Sequence, residues 1–248
     1  MMGPSHALSG LVAGVALSTT AACTLPHVGT LTLATNLIGA PVGPQYMATC
    51  GLLAAGAALA PDLDQRSSTI SHSLTPITEG ISTVVGAVSG GHRKGTHGVL
   101  GTIVFAVLVF TACRFPWAVA VPWGTFNATL ALIILLVGSL AMRALKFEFG
   151  PFAGWAGALA LALLMGTLVP STGSWVAYAL ILGYVVHLVG DALTTEMLQP
   201  LLPFSSVKVG LPVLGNAGSA REKVFMSGLS AFGVLVAVLS VIETGAAA

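Results

Sequence analysis

The sequence predicts an all-α, polytopic membrane protein formed by one domain over residues 1–248. Two observations carry that reading. Charged residues make up 7% of the chain and hydrophobic ones 55%, whereas soluble domains carry about 25% charged residues. So few charges cannot cover the surface of a soluble fold. The apolar residues also fall in long runs near the roughly 17–25 residues that a helix needs to cross a bilayer. A membrane barrel would instead show short alternating strands.

The elements follow in order. The first span covers about Ala7–Cys23. Its apolar centre and small residues resemble a signal peptide, but the basic n-region is missing, so a retained helix is expected. The region Val28–Ala60 is too long for one span and is broken by "GAPVGP". It reads as a span over Gln45–Ala60, preceded by a kinked or re-entrant apolar segment. Further spans are expected over Val99–Ala120, Phe126–Met142, Phe152–Pro170, Ser174–Thr194 and Val224–Ile242, making about seven. Arg114 and Pro116 interrupt the first of these. Two polar excursions, Pro61–Gly98 and Gln199–Lys223, separate the apolar runs, and no internal repeat is evident.

The basic residues test this parity. With seven spans, Arg66, Arg93, Lys94, Arg143, Lys146, Lys208, Arg221 and Lys223 fall on the N-terminal side, and only Arg114 falls opposite. Basic residues mark the cytoplasmic face. The expectation is a multi-pass inner-membrane protein with a cytoplasmic N-terminus. A net charge of +1 offers no nucleic-acid surface. Cys23, Cys50 and Cys113 are isolated in apolar stretches, with neither metal-ligand nor disulfide spacing.

Four clusters hold the rare polar chemistry. His6 opens the first span, and alone it reads equally as an interfacial histidine. Asp62 and Asp64, in "PDLDQRSS", emerge at the mouth of the second span. They are either solvated helix-end groups or carboxylates converging on a cation. "GHRKGTHG" brings His92, Arg93, Lys94 and His97 together just before the next span. A regular helix would splay His92 and His97 by about 140°, but a glycine-rich loop can turn both inward. Arg93 and Lys94 are positive-inside anchors or hold an anion, since Arg matches phosphate geometry. In "GYVVHLVGDALTTEM", His187 and Asp191 lie at i and i+4 on one helix face. Ionisable residues within a span are costly and point to function. The pair suits a structural contact, a metal or a proton relay. Under the charge count, all four clusters lie at or toward the cytoplasmic side.

Taken together, His6, "PDLD", "HRKGTH" and "GYVVHLVGDALT" resemble the bacterial inner-membrane metal-dependent hydrolases of the LexA-regulated or LexA-binding, YdjM-like type. The resemblance runs to about Phe204 and implies a hydrolase. The ligand order His, Asp, His, then HxxxD also resembles that of zinc-dependent phospholipase C and related single-strand nucleases, which by analogy implies phosphoester hydrolysis. The chain departs from the family pattern at Gln65 and Arg66, where His-Pro is common, and at Gly98, where serine is common. It also lacks a glycine shortly after "DALT".

The reading is a membrane enzyme with one or more divalent metals, zinc being the expected ion. His6, Asp62, His97, His187 and Asp191 are the expected ligands, with Asp62 and Asp64 interchangeable as ligand and general base. Asp64, His92 and Arg93 are the expected catalytic residues, the last two orienting substrate or stabilising negative charge. The expected partners are membrane lipid and a small amphiphilic or lipid substrate; the oligomeric state is left open. Two rivals remain at this level: a proton- or metal-coupled transporter using the same cluster, and a non-catalytic scaffold with a closed structural metal site.

Overall fold

The computed structural model describes residues 1–25, 29–115, 117–146, 153–169 and 171–246. Helix α1 (Gly3–Ser18) begins with a proline in its first turn, where the missing N–H costs nothing. A β-hairpin follows, β1 (Ala21–Leu25) pairing antiparallel with β2 (Gly29–Ala34). The expected kinked or re-entrant apolar segment before Gln45 is thus in part a strand of a β-hairpin. The alternation in Thr30-Leu31-Thr32-Leu33 is a strand pattern of period two, too short to register among longer apolar runs. Helix α2 (Pro44–Ala57) then returns the chain and runs on into a 3-10 turn over Pro61–Asp64.

The first polar excursion contains helix α3 (Ile77–Val88), which the sequence reading missed. Helix α4 (Val99–Arg114) ends short of the expected Ala120. The chain after it forms a second hairpin, β3 (Ala118–Val121) with β4 (Gly124–Asn127), carrying exposed Trp117 and Trp123 at and between its strands. Asn127 caps helix α5 (Ala128–Ile133) by accepting from the Leu130 amide. A π-helical turn, Ile134–Gly138, joins it to α6 (Ser139–Ala144). Helices α7 (Ala153–Leu168), α8 (Ser174–Ala192) and α9 (Ala220–Ala246) complete the bundle. The expected limits Phe152 and Pro170, and the interrupting Pro116, lie outside the described residues.

Apart from α3, the helices follow the expected apolar runs in order. Against the about seven expected spans, three stretches among the described residues are long and apolar enough to cross a membrane: Pro44–Asp64, Ser174–Ala192 and Ala220–Gly245. Helices α1, α4 and α7 have 16 residues each, just under the usual spanning length. The outward faces support a lipid setting. Ile103, Val104, Val107 and Leu108 of α4, and Val234, Leu235 and Val238 of α9, are all exposed, an amount of bare apolar side chain that water disfavours.

The core is built on close backbone contact. A methyl group placed at Gly10 would lie 2.5 Å from the Ala54 carbonyl oxygen, and one at Gly14 would lie 2.5 Å from that of Cys50. Gly183 of α8 meets the Ala54 carbonyl from the other side. Small residues spaced by four let helices pack this tightly in lipid. Helices α1, α2 and α8 therefore interlock around Cys50, Leu53 and Ala54, all fully buried or nearly so. That interlock fixes the relative height of the three helix ends that carry His6, Asp62 and His187.

Candidate metal centre

The site is assembled at one end of the bundle. His6 stands one turn into α1, and Asp62 and Asp64 stand on the 3-10 turn after α2. His187 and Asp191 occupy the last two turns of α8. The loop between α3 and α4 supplies His92, Arg93 and His97. Arg93 has φ 61°, a left-handed conformation costly for a residue with a Cβ. Val99, the first residue of α4, donates its amide to the Pro200 carbonyl at 2.8 Å. A Cβ at Gly98 would lie 2.9 Å from that same oxygen, which explains glycine here in place of the serine expected from the family pattern.

Four side-chain atoms converge. His97 Nε2 lies 3.1 Å from His187 Nε2. Asp62 Oδ1 is 3.6 Å from the first and 3.7 Å from the second. Asp191 Oδ2 is 3.7 Å and 3.6 Å from the same two atoms. A tetrahedral zinc, with bonds of about 2.0–2.1 Å, separates its ligand atoms by about 3.3–3.4 Å. The two imidazole nitrogens together with either carboxylate oxygen fit such an ion, each set of three lying within 3.1–3.7 Å of one another.

The surroundings aim these atoms inward. His187 Nδ1 donates to the Ala58 carbonyl at 2.6 Å, leaving Nε2 with a lone pair toward the centre. His97 Nδ1 faces Thr96 Oγ1 at 3.0 Å and Asp64 Oδ2 at 3.4 Å. Two imidazole lone pairs 3.1 Å apart repel unless a proton or a cation lies between them. Asp191 Oδ1 takes His6 Nε2 at 3.1 Å and Arg93 Nη2 at 3.2 Å, and the Met1 amino nitrogen lies 2.5 Å from it. Asp191 Oδ2, by contrast, is buried with no hydrogen-bond partner, although an unpaired buried carboxylate oxygen is expensive. It is the second observation that points to a cation. His97 lies outside the spanning segments. Burial disfavours its charged form, but Asp62 and Asp64 beside it outweigh burial and raise its pKa to about 9. Without an ion, this imidazole carries a proton that a metal must displace.

Each expected ligand and catalytic residue lies in or beside this cluster, whereas the exposed Lys94 makes no side-chain hydrogen bond or ion pair among the described residues. His97, His187, Asp62 and Asp191 form the four-atom group. His6 stacks on His187, ring centroids 3.7 Å apart and planes 15° from parallel. Its Nε2 goes to Asp191 Oδ1, and its Nδ1 is buried with no hydrogen-bond partner. Asp64 turns away from the four atoms. Its Oδ1 takes His92 Nδ1 at 2.9 Å, and its Oδ2 takes the Arg93 amide at 3.2 Å and Thr96 Oγ1 at 2.5 Å. Among the described residues, three overlapping groups are able to hold an ion: His6 with His187 and Asp191, Asp62 with His97 and His187, and Asp64 with His92 and His97. The second branch of Arg93, Nη1, pairs with Glu196 Oε2 at 2.9 Å.

Three contributors escaped the sequence reading. Thr96 braces Asp64 and His97, and the Tyr184 hydroxyl donates to the Thr96 carbonyl. Tyr184 precedes His187 by three, so helix spacing could have flagged it. The third is a polar cavity of about 250 Å³ beside the centre, lined by Asp62, His92, Arg93 and Gln65 together with Ser67 and Thr69. Asp62 is the one member of the four-atom group on its wall.

Fold and site together define a helical membrane protein with a buried histidine–carboxylate centre able to hold a metal ion. The chain belongs to the YdjM inner membrane protein family, whose model matches residues 1–142 and 151–246. No curated protein and no solved structure shows significant similarity to it.

Proposed function

We propose that the protein is a membrane-embedded metal-dependent hydrolase, with zinc as its ion, that cleaves a phosphoester or lipid-like substrate at the cytoplasmic face. The observation that carries this reading is the convergence of His97, His187, Asp62 and the unpartnered Asp191 Oδ2 beside a polar cavity. A divalent ion held there supplies polarisation of a phosphoryl or acyl oxygen and activation of water near pH 7.

The chain's own groups do the rest. Arg93 and His92 line the cavity, where they bind and orient an entering anionic group. Asp62, at the boundary of cavity and centre, takes up a proton. Asp64 holds His97, while His6 and Arg93 hold Asp191. Apolar helices carry the cavity at a membrane surface, where an amphiphile presents its head group. Arg93, and Arg143 bonded to the His72 carbonyl nearby, favour the cytoplasmic face.

Transporter sites sit near the bilayer midplane. Donors gathered at helix ends support the hydrolase over a permease. The test uses zinc-loaded protein in detergent, with no gradient, on a panel of phospholipids, isoprenoid phosphates, nucleotides and acyl esters. Cleavage of a member, abolished by His187→Ala, is the expected result. Failure to cleave any, together with solute accumulation in vesicles that requires His187 and Asp191, refutes the hydrolase.

A further inference from the structure

The four converging donors are not equivalent. His97 is fully buried and braced by Asp64 and Thr96. His187 is fully buried and braced by the Ala58 carbonyl. The Asp191 side chain is 1% exposed and braced by His6 and Arg93. Asp62 differs in all three respects. Its side chain is 19% exposed, it lines the cavity, and its close polar contacts among the described residues are the two imidazoles themselves.

This asymmetry matters because a centre with four protein ligands is closed, whereas a reactive one needs an open position. A molecule in the cavity meets Asp62 first. Moving Asp62 disturbs no brace, while moving any of the other three breaks a second buried hydrogen bond. Ligands lacking such outer support are the weakly held ones.

We infer that Asp62 is the exchangeable ligand of the centre: an anionic oxygen arriving through the cavity takes its place, while His97, His187 and Asp191 keep the ion. The inference rests on the metal reading above and divides the two aspartates of "PDLD". Asp62 opens and closes the centre, and Asp64 positions the loop behind it.

Cobalt(II) is the probe, since its visible bands report both occupancy and coordination. Full-length protein in detergent is titrated with cobalt as wild type, Asp62→Asn, Asp62→Ala and His187→Ala, each checked for an unchanged elution profile. Inorganic phosphate is then added. Both Asp62 variants are expected to keep one cobalt, weakened by about 10- to 100-fold, whereas His187→Ala loses stoichiometric binding. Phosphate is expected to shift the cobalt bands of Asp62→Ala at a concentration at least about tenfold lower than in wild type, since no carboxylate must leave first. Loss of cobalt from both Asp62 variants as complete as that from His187→Ala overturns the inference. So does equal phosphate sensitivity in wild type and Asp62→Ala. If wild type itself takes up no cobalt, the metal reading fails first and this inference falls with it.

Discussion

Asp64 Oδ2 lies 3.4 Å from His97 Nδ1, on the opposite side of the imidazole from His187. A carboxylate behind a ligating histidine fixes the tautomer and aims the far nitrogen at the ion. Asp64 also receives His92, the Arg93 amide and Thr96, so one buried side chain organises the whole loop. Asp64→Asn keeps the shape but can no longer accept from every donor. It is expected to lower zinc affinity by about 10- to 100-fold and to expose the loop at residues 90–96 to protease. Zinc titration and limited proteolysis check this; unchanged affinity would remove Asp64 from its positioning role.

The proton on His97 makes both stability and metal uptake depend on pH. Its folded pKa of about 9 lies above the ordinary histidine value of 6.5. Stabilisation of the ion-free protein is therefore fully present below about pH 6.5 and is lost as pH rises through about 9. The full effect is on the order of 3 kcal/mol. Metal binding releases that proton, so affinity is expected to rise with pH, by up to about tenfold per unit, until about pH 9. Thermal melts of ion-free protein at pH 6 and pH 9.5, with His97→Ala as control, measure the first. Zinc titrations across the same range measure the second. A flat profile in both places the proton elsewhere.

The contact of α1 with α2 sets the height of His6 against Asp62. Any side chain at Gly10 meets the Ala54 carbonyl, and the helices must separate to admit it. Gly10→Val is expected to destabilise by about 1–3 kcal/mol and to weaken zinc binding although it touches no ligand. Detergent melts with parallel zinc titrations read both. Full stability in that variant would mean that the interlock is not what positions the site.

Topology is open to labelling. In a variant lacking Cys23, Cys50 and Cys113, a cysteine at position 94 is expected to resist an impermeant thiol reagent added to intact cells. One at position 123, in the hairpin beyond the far end of α4, is expected to react. Trp117 and Trp123, both exposed, suit the belt of aromatic rings at a membrane surface. Labelling at position 94 from outside would reverse the cytoplasmic assignment.

The parts legible in the sequence were those written as long runs or as costly residues. Apolar stretches gave the helices in order, because in lipid the hydrophobic pattern alone selects them. His187 and Asp191 were legible because a helix places i and i+4 on one face. The hairpins were not, since Thr30–Leu33 and Thr125–Asn127 are short and their pairing is set by tertiary position. Helix α3 was hidden among polar residues in the first excursion. The separate fates of Asp62 and Asp64 could not be read either. Two residues apart on a 3-10 turn, they diverge, and only the loop carrying His92 and Thr96 decides which one is enclosed. Tyr184 and Thr96 were missed because an uncharged hydroxyl in an apolar run carries no obvious cost.

Arg93 provides a test that separates backbone from charge. Its φ of 61° is strained for any residue but glycine, while its guanidinium bridges Asp191 and Glu196. Arg93→Ala and Arg93→Gly both remove the guanidinium, and only the second relieves the backbone. The glycine variant is therefore expected to be the more stable of the two, by about 1 kcal/mol, although glycine ordinarily destabilises by raising the entropy of the unfolded chain. Both are expected to lose activity together, because Asp191 then lacks its brace and the cavity its one guanidinium. Arg93→Lys is expected not to restore it, since an ammonium cannot span two carboxylates as the planar fork does. Melting temperatures and hydrolysis rates of the three variants decide the matter. An alanine variant more stable than the glycine one would show that the loop reaches Asp64 without left-handed strain, and activity in the lysine variant would reduce Arg93 to a simple positive charge.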